Sequence, residues 1–239
     1  MIKKPINQND SFALELLNSI ENNYVFENNP INRLKNENTA SKTSSDEKIK
    51  NLENLKKEIN SIENCKLKKN ASKIVFSDGN TQSPIMIVGE GPGQKEDELG
   101  KPFVGDAGSL LNKMLKAINI DRGKVYITNV VNYRPPNNRK PETSEINRYS
   151  KFLKEHISII DPQILILMGS TAMEALIGIN KKISKERGQW KEVIIKQKTY
   201  KTIITFHPAY LLRQPEQKKF SWKDLKIIRK EIDVLNIKI

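Results

Sequence analysis

Four short apolar runs, each ending at turn residues and each separated from the next by an amphipathic stretch, constrain this chain most. They are Pro84–Val88, Val125–Val131, Ile164–Met168 and Thr202–Phe206. Runs of this length without polar alternation read as strands buried on both faces. Between them lie segments with helical spacing. Asp106 stands before GSLLNKMLKAI as an acidic N-cap. Thr143–Ile159 is bounded by Pro141 and Pro162, Ser170 caps a helix through Leu176, and Trp222–Leu235 closes the chain. Strands alternating with helices predict a parallel sheet covered on both faces. The fold class expected is α/β: a three-layer α/β/α sandwich around a central, mainly parallel sheet of four strands.

The residues before the first run differ in character. Residues 11–22 have Phe12, Leu14, Leu16 and Leu17 as the apolar positions of a short amphipathic helix. Residues 35–48 are polar and lack aromatic side chains, so they bury too little to offset ordering entropy and are expected to be a flexible linker. Ile49, Leu52, Leu55, Ile59 and Ile62 recur at helical spacing. The expected organisation is a helical extension over 1–34, a linker over 35–48 and one domain over 49–239.

The formal net charge is +13, and residues 84–239 carry +11 of it. A polyanion would therefore bind the second part, although the many Lys, Asn and Ile residues also fit lysine drift in an AT-rich genome. No stretch of 18 apolar residues occurs, and the first residues lack the apolar core of a secretory signal. The expectation is a cytoplasmic monomer with no membrane segment. Cys65 is the one cysteine, which excludes an intrachain disulfide.

In a sheet of this kind a ligand lies at the carboxyl ends of the strands, and three segments there carry chemistry. The first is Gly89–Gly108. Its glycines make a tight turn that is neither G-x-G-x-x-G nor a Walker loop. Glu90 in that turn could orient a water and stabilise a developing cation. Phe103, between Pro102 and Val104-Gly105, is a core plug or a platform on which a base stacks. The second is Thr128–Pro141. The Asn129 amide offers the donor and acceptor that a base edge requires, or it satisfies a turn. Arg134 and Arg139 stand on a stiff Pro/Asn loop that is either a phosphate contact or a solvated surface. The third is His207–Arg213. His207, one of two histidines, could donate to a leaving group. Leu211, Leu212 and Arg213 form a wedge for the gap left by an extruded base, or part of the core. The other histidine, His156, lies mid-helix and is expected to be structural or exposed.

Taken in order, these segments resemble family 4 uracil-DNA glycosylases. GEGPG-x-x-ED matches at Gly89–Asp97, G-x-PFVG-x-AG at Gly100–Gly108, TNVV…RPP-x-NR at Thr128–Arg139 and HPAYLLR at His207–Arg213. The likeness extends over roughly residues 60–235. The resemblance implies hydrolysis of the N-glycosidic bond of flipped-out uracil in DNA, leaving an abasic site. It implies that Phe103 stacks on the base, Asn129 reads its edge, and Glu90 with the Gly91 backbone lines the pocket beside the sugar. His207 would stabilise the departing anion, and the Leu211–Arg213 segment would enter the DNA. No lysine stands out as a Schiff-base nucleophile, so no lyase step is expected. A DNA-binding relative that kept the fold and lost turnover is the alternative. A dinucleotide-binding domain is discounted, because LLNKMLKAI stands where its acidic ribose ligand should follow the glycine turn.

The family carries a 4Fe–4S cluster on four cysteines. Here Cys65 stands at one such position, with Ile62, Tyr133 and Tyr149 at the others. The expectation is that Ile62, Tyr133 and Tyr149 pack together in its place, and that the protein has no cofactor and no metal.

Overall fold

The computed structural model describes residues 45–178 and 181–239. Expectations for residues 1–34, and for the linker up to residue 44, lie outside the described residues. The first helix, α1 (Ser45–Asn60), begins inside the expected linker: Ser45–Lys48 are its first turn, with Asp46 and Glu47 favourably placed against the helix dipole. It buries Leu52, Leu55 and Ile59.

Six strands form one sheet: β1 (Ser77–Gly79), β2 (Ile85–Gly89), β3 (Tyr126–Asn129), β4 (Ile164–Met168), β5 (Trp190–Ile195) and β6 (Lys198–Thr205). Their order is β1-β3-β2-β4-β6-β5. The four predicted strands are the parallel centre, β3-β2-β4-β6. The sheet is wider than expected because an antiparallel strand closes each edge, β1 on β3 and β5 on β6. Neither edge strand has an apolar run longer than three residues. β1 reads Ser-Asp-Gly, and β5 alternates exposed and buried positions as a half-covered edge does.

Helices cover both faces: α2 (Lys66–Asn70), α3 (Gln94–Leu99), α4 (Asp106–Lys116), α5 (Thr143–Ile160), α6 (Ser170–Ile177), α7 (Ile183–Glu186), α8 (Pro208–Arg213) and α9 (Lys218–Val234). The period-two geometry of the strands sorts the core into two halves. Met86, Val88, Leu165 and Leu167 pack with α1 and α5. Ile85, Ile87, Ile164 and Ile166 pack with α4 and α9. Asp106 and Ser170 are first helical residues rather than caps; Gly105 and Gly169 hold the cap positions. No helix among the described residues is long and apolar enough to cross a membrane.

His156 is buried on α5. Its Nε2 lies 2.8 Å from the Tyr126 hydroxyl, and its ring stacks on Phe76 at 4.5 Å. Burial lowers its pKa to about 3, so the ring is a neutral part of the core.

Candidate active site

The strand order brings the ends of β2, β3, β4 and β6 to one side, where they frame a cavity of about 630 Å³. Glu90, Gly91, Phe103, Asn129, Arg139, His207 and Arg213 line it. Three segments far apart in sequence thus meet in one crevice at the carboxyl ends of parallel strands.

Asn129 ends β3 and is 3 % exposed. No donor among the described residues reaches its Oδ1, which is buried. A buried amide oxygen without a donor costs free energy unless a ligand supplies one. Beside it Phe103 is 5 % exposed, and its ring stacks at 5.4 Å, inclined by 29°, on the His207 ring.

The loop that carries Phe103 is heavily braced. Arg122 donates to the carbonyl oxygens of Pro102 and Phe103 at 2.7 and 2.9 Å and pairs with Asp78. A Cβ on Gly108 would sit 1.9 Å from the Phe103 carbonyl oxygen, so only glycine admits this loop. Glu96 accepts from the backbone N–H groups of Gly93, Val104 and Gly105, and so ties the glycine turn to the Phe103 loop. Asp97 accepts from Ser72 and Lys73. Glu96 and Asp97 stood in the quoted motif without a role; their structural task could have been suspected from that spacing.

Glu90 is half-buried, and its Oε2 accepts a 2.5 Å hydrogen bond from the hydroxyl of Thr171, a fully buried residue in the first turn of α6. Nothing in the sequence distinguishes Thr171 from an ordinary helix residue. His207 caps α8, its Nδ1 accepting from the Ala209 N–H at 3.2 Å. That bond assigns the ring proton to Nε2. Burial first, and the Arg213 charge second, lower its pKa to about 4, so the imidazole is neutral near pH 7.

The expected DNA-contacting residues separate. Leu211 is 1 % exposed and belongs to the core, so it cannot act as a wedge; the apolar face of α8 points it inward. Leu212 is 42 % exposed and Arg213 is exposed at the cavity wall. Arg139 lines the cavity with its guanidinium held by both oxygens of Glu145, at 2.8 and 2.7 Å. Arg134 does not line the cavity; its Nε donates to Asn138.

Comparison with known proteins agrees with this geometry. The family model for the uracil DNA glycosylase superfamily matches residues 76–228. The chain is 41 % identical over 186 residues to the type-4 uracil-DNA glycosylase of Sulfurisphaera tokodaii, covering 74 % of this chain and 83 % of that protein. It is 43 % identical over 150 residues to that of Thermotoga maritima, covering 62 % and 77 %. For that of Pyrobaculum aerophilum the identity is 37 % over 178 residues, covering 73 % and 91 %. The chain belongs to the type-4 uracil-DNA glycosylases.

Membership in the type-4 uracil-DNA glycosylases corrects the expectation of no cofactor, because that family carries a 4Fe–4S cluster. The residues at the corresponding positions are Cys65, Ile62, Tyr133 and Tyr149. Cys65 Sγ lies 3.4 Å from the Tyr149 hydroxyl, the Tyr133 hydroxyl donates to Asn60 at 2.7 Å, and Ile62 is partly buried against the same core. Burial pushes the Tyr133 phenol up to about 12 and raises Tyr149 further. One cysteine, one isoleucine and two phenols do not fit a cluster held on four cysteines.

Proposed function

We propose that this protein hydrolyses the N-glycosidic bond of flipped-out uracil in DNA and leaves an abasic site. The observation that carries the reading is the orphaned Asn129 Oδ1 beside the Phe103 ring, which itself stacks against the neutral His207 in the same cavity. A uracil edge offers an N3–H donor to that oxygen and an O4 acceptor to the amide nitrogen. Phe103 stacks on the base, and the Gly91 backbone borders it.

In this reading Glu90 orients the attacking water and stabilises positive charge on the sugar, with one carboxylate oxygen already fixed by Thr171. Water bonds to the sugar carbon as the bond to the base nitrogen breaks, and the proton that the water sheds passes to the Glu90 carboxylate. The electron pair leaves on the uracil, and the His207 Nε2–H donates to its O2. A neutral imidazole suffices, because it donates a hydrogen bond without transferring its proton. Arg134 and Arg213 contact DNA phosphates and Leu212 enters the stack. Arg139, already paired with Glu145, positions the loop. The catalytic unit acts as a cytoplasmic monomer.

The test is a labelled duplex with one U·G pair. The expected product is a strand intact until alkali is added and cut at the uracil afterwards, since no lyase step follows. An uncut strand from folded, DNA-binding protein would assign the chain to the non-catalytic alternative.

A further inference from the structure

The C-terminal helix α9 has a face that the cavity does not use. It buries Ser221, Asp224, Leu225, Ile228 and Ile232 against the sheet. Helical spacing puts Lys218, Lys219, Trp222, Lys223, Lys226 and Lys230 on the opposite arc, and all six are exposed. Trp222 is 44 % exposed, although large aromatic side chains are generally well buried.

The charge on this arc is uncompensated. Asp224 is buried and held by Arg187 and Thr205. Glu231 pairs with Lys201, and Asp233 with Arg229. Among the described residues none of the five lysines makes an ion pair, and Lys219 and Lys223 lie over the Phe220 ring. The face also begins at the cavity. Gln217, which immediately precedes Lys218, lines the cavity together with Arg213.

From Lys218 to Lys230 the helix rises about 18 Å at its usual 1.5 Å per residue. Phosphates of one DNA strand recur every 3.4 Å along the duplex axis, so the face spans about five of them. We infer that this face of α9 binds the backbone of the duplex flanking the uracil, with the lysines on phosphates and Trp222 packed against the sugar edge. The inference rests on the glycosylase reading for its orientation, and its test does not depend on turnover.

The experiment uses the full chain and a uracil-free 30-base-pair duplex, with affinity measured from low to moderate salt. The triple substitution Lys219→Ala, Lys223→Ala, Lys226→Ala should weaken binding about tenfold to a hundredfold. It should also lower the salt slope by about two to three, near 0.9 for each lost phosphate contact. Single-turnover excision at saturating uracil DNA should stay within about twofold, since these residues lie outside the pocket. In a Trp190→Phe background Trp222 is the one tryptophan, and the duplex should change its emission. Unchanged affinity, slope and emission would overturn the inference. So would wild-type binding to polyglutamate that the triple variant loses while its DNA affinity is unaltered, which would assign the face to an acidic protein. Absence of uracil excision by the wild type, with the slope change intact, would sink the glycosylase reading and leave the surface standing.

Discussion

A Cβ placed on Gly89 would stand 2.4 Å from Asn129 Oδ1 and 2.6 Å from the Phe103 ring. The last residue of β2 therefore sets how closely the amide and the aromatic ring approach one another. Gly89→Ala forces one of them to move. Excision should fall at least about a hundredfold, as expected when a reacting geometry is displaced by about 1 Å. Overpacking should lower stability by about 1–3 kcal/mol. Single-turnover kinetics and urea denaturation of the same preparation check both.

Asn129→Ala removes the amide and leaves the backbone of β3 in place. Loss of one preorganised group that reads the base should lower the excision rate about 10²–10³-fold. Affinity for uracil-free DNA should be nearly unaltered, because phosphates supply most of it. A variant that keeps full activity would remove Asn129 from the site.

The Thr171 hydroxyl fixes one oxygen of Glu90, so Thr171→Val should lower the excision rate while leaving DNA affinity unchanged. Loss of one hydrogen bond to a charged group, worth about 1.5–3 kcal/mol, corresponds to roughly a tenfold to hundredfold effect. Thr171→Ser keeps the hydroxyl and should restore most of the rate. Equal losses in both variants would mean that packing, not the hydrogen bond, matters there.

Both histidines have folded-state pKa values below the ordinary value of 6.5, about 3 for His156 and about 4 for His207. As pH falls below 6.5, the unfolded chain takes up protons that the folded protein refuses. Stability is thus fully present above pH 6.5 and is lost on acidification toward pH 4, with a slope of up to about 1.4 kcal/mol per pH unit for each histidine. Urea midpoints at pH 7 and pH 5 measure this, and His156→Phe should have about half the slope. For the same reason the excision rate should show no histidine limb near pH 6.5.

The parallel centre of the sheet was legible because strands buried on both faces leave continuous apolar runs such as Ile85–Val88 and Ile164–Met168. The edge strands were not, since Ser77–Gly79 gains its strand character only from pairing with β3. Glu90, Phe103, Asn129 and His207, which the fold brings to one cavity, stood out in the sequence as matches to a family pattern in segments that follow strand ends. Leu211 was misplaced because two adjacent leucines in a short helix look alike in sequence, and only packing tells which faces inward. Thr171 was invisible, because its importance comes from a partner 81 residues away.

Glu90 and neutral His207 together are proposed to carry the hydrolysis. The decisive measurement is single-turnover excision of uracil from a labelled U·G duplex by the wild type, Glu90→Ala and His207→Ala. The wild type should form an alkali-labile site rapidly, and each variant should lose about 10²-fold or more in rate with DNA affinity preserved. Wild-type cleavage that both variants retain would contradict it and move the chemistry out of this cavity.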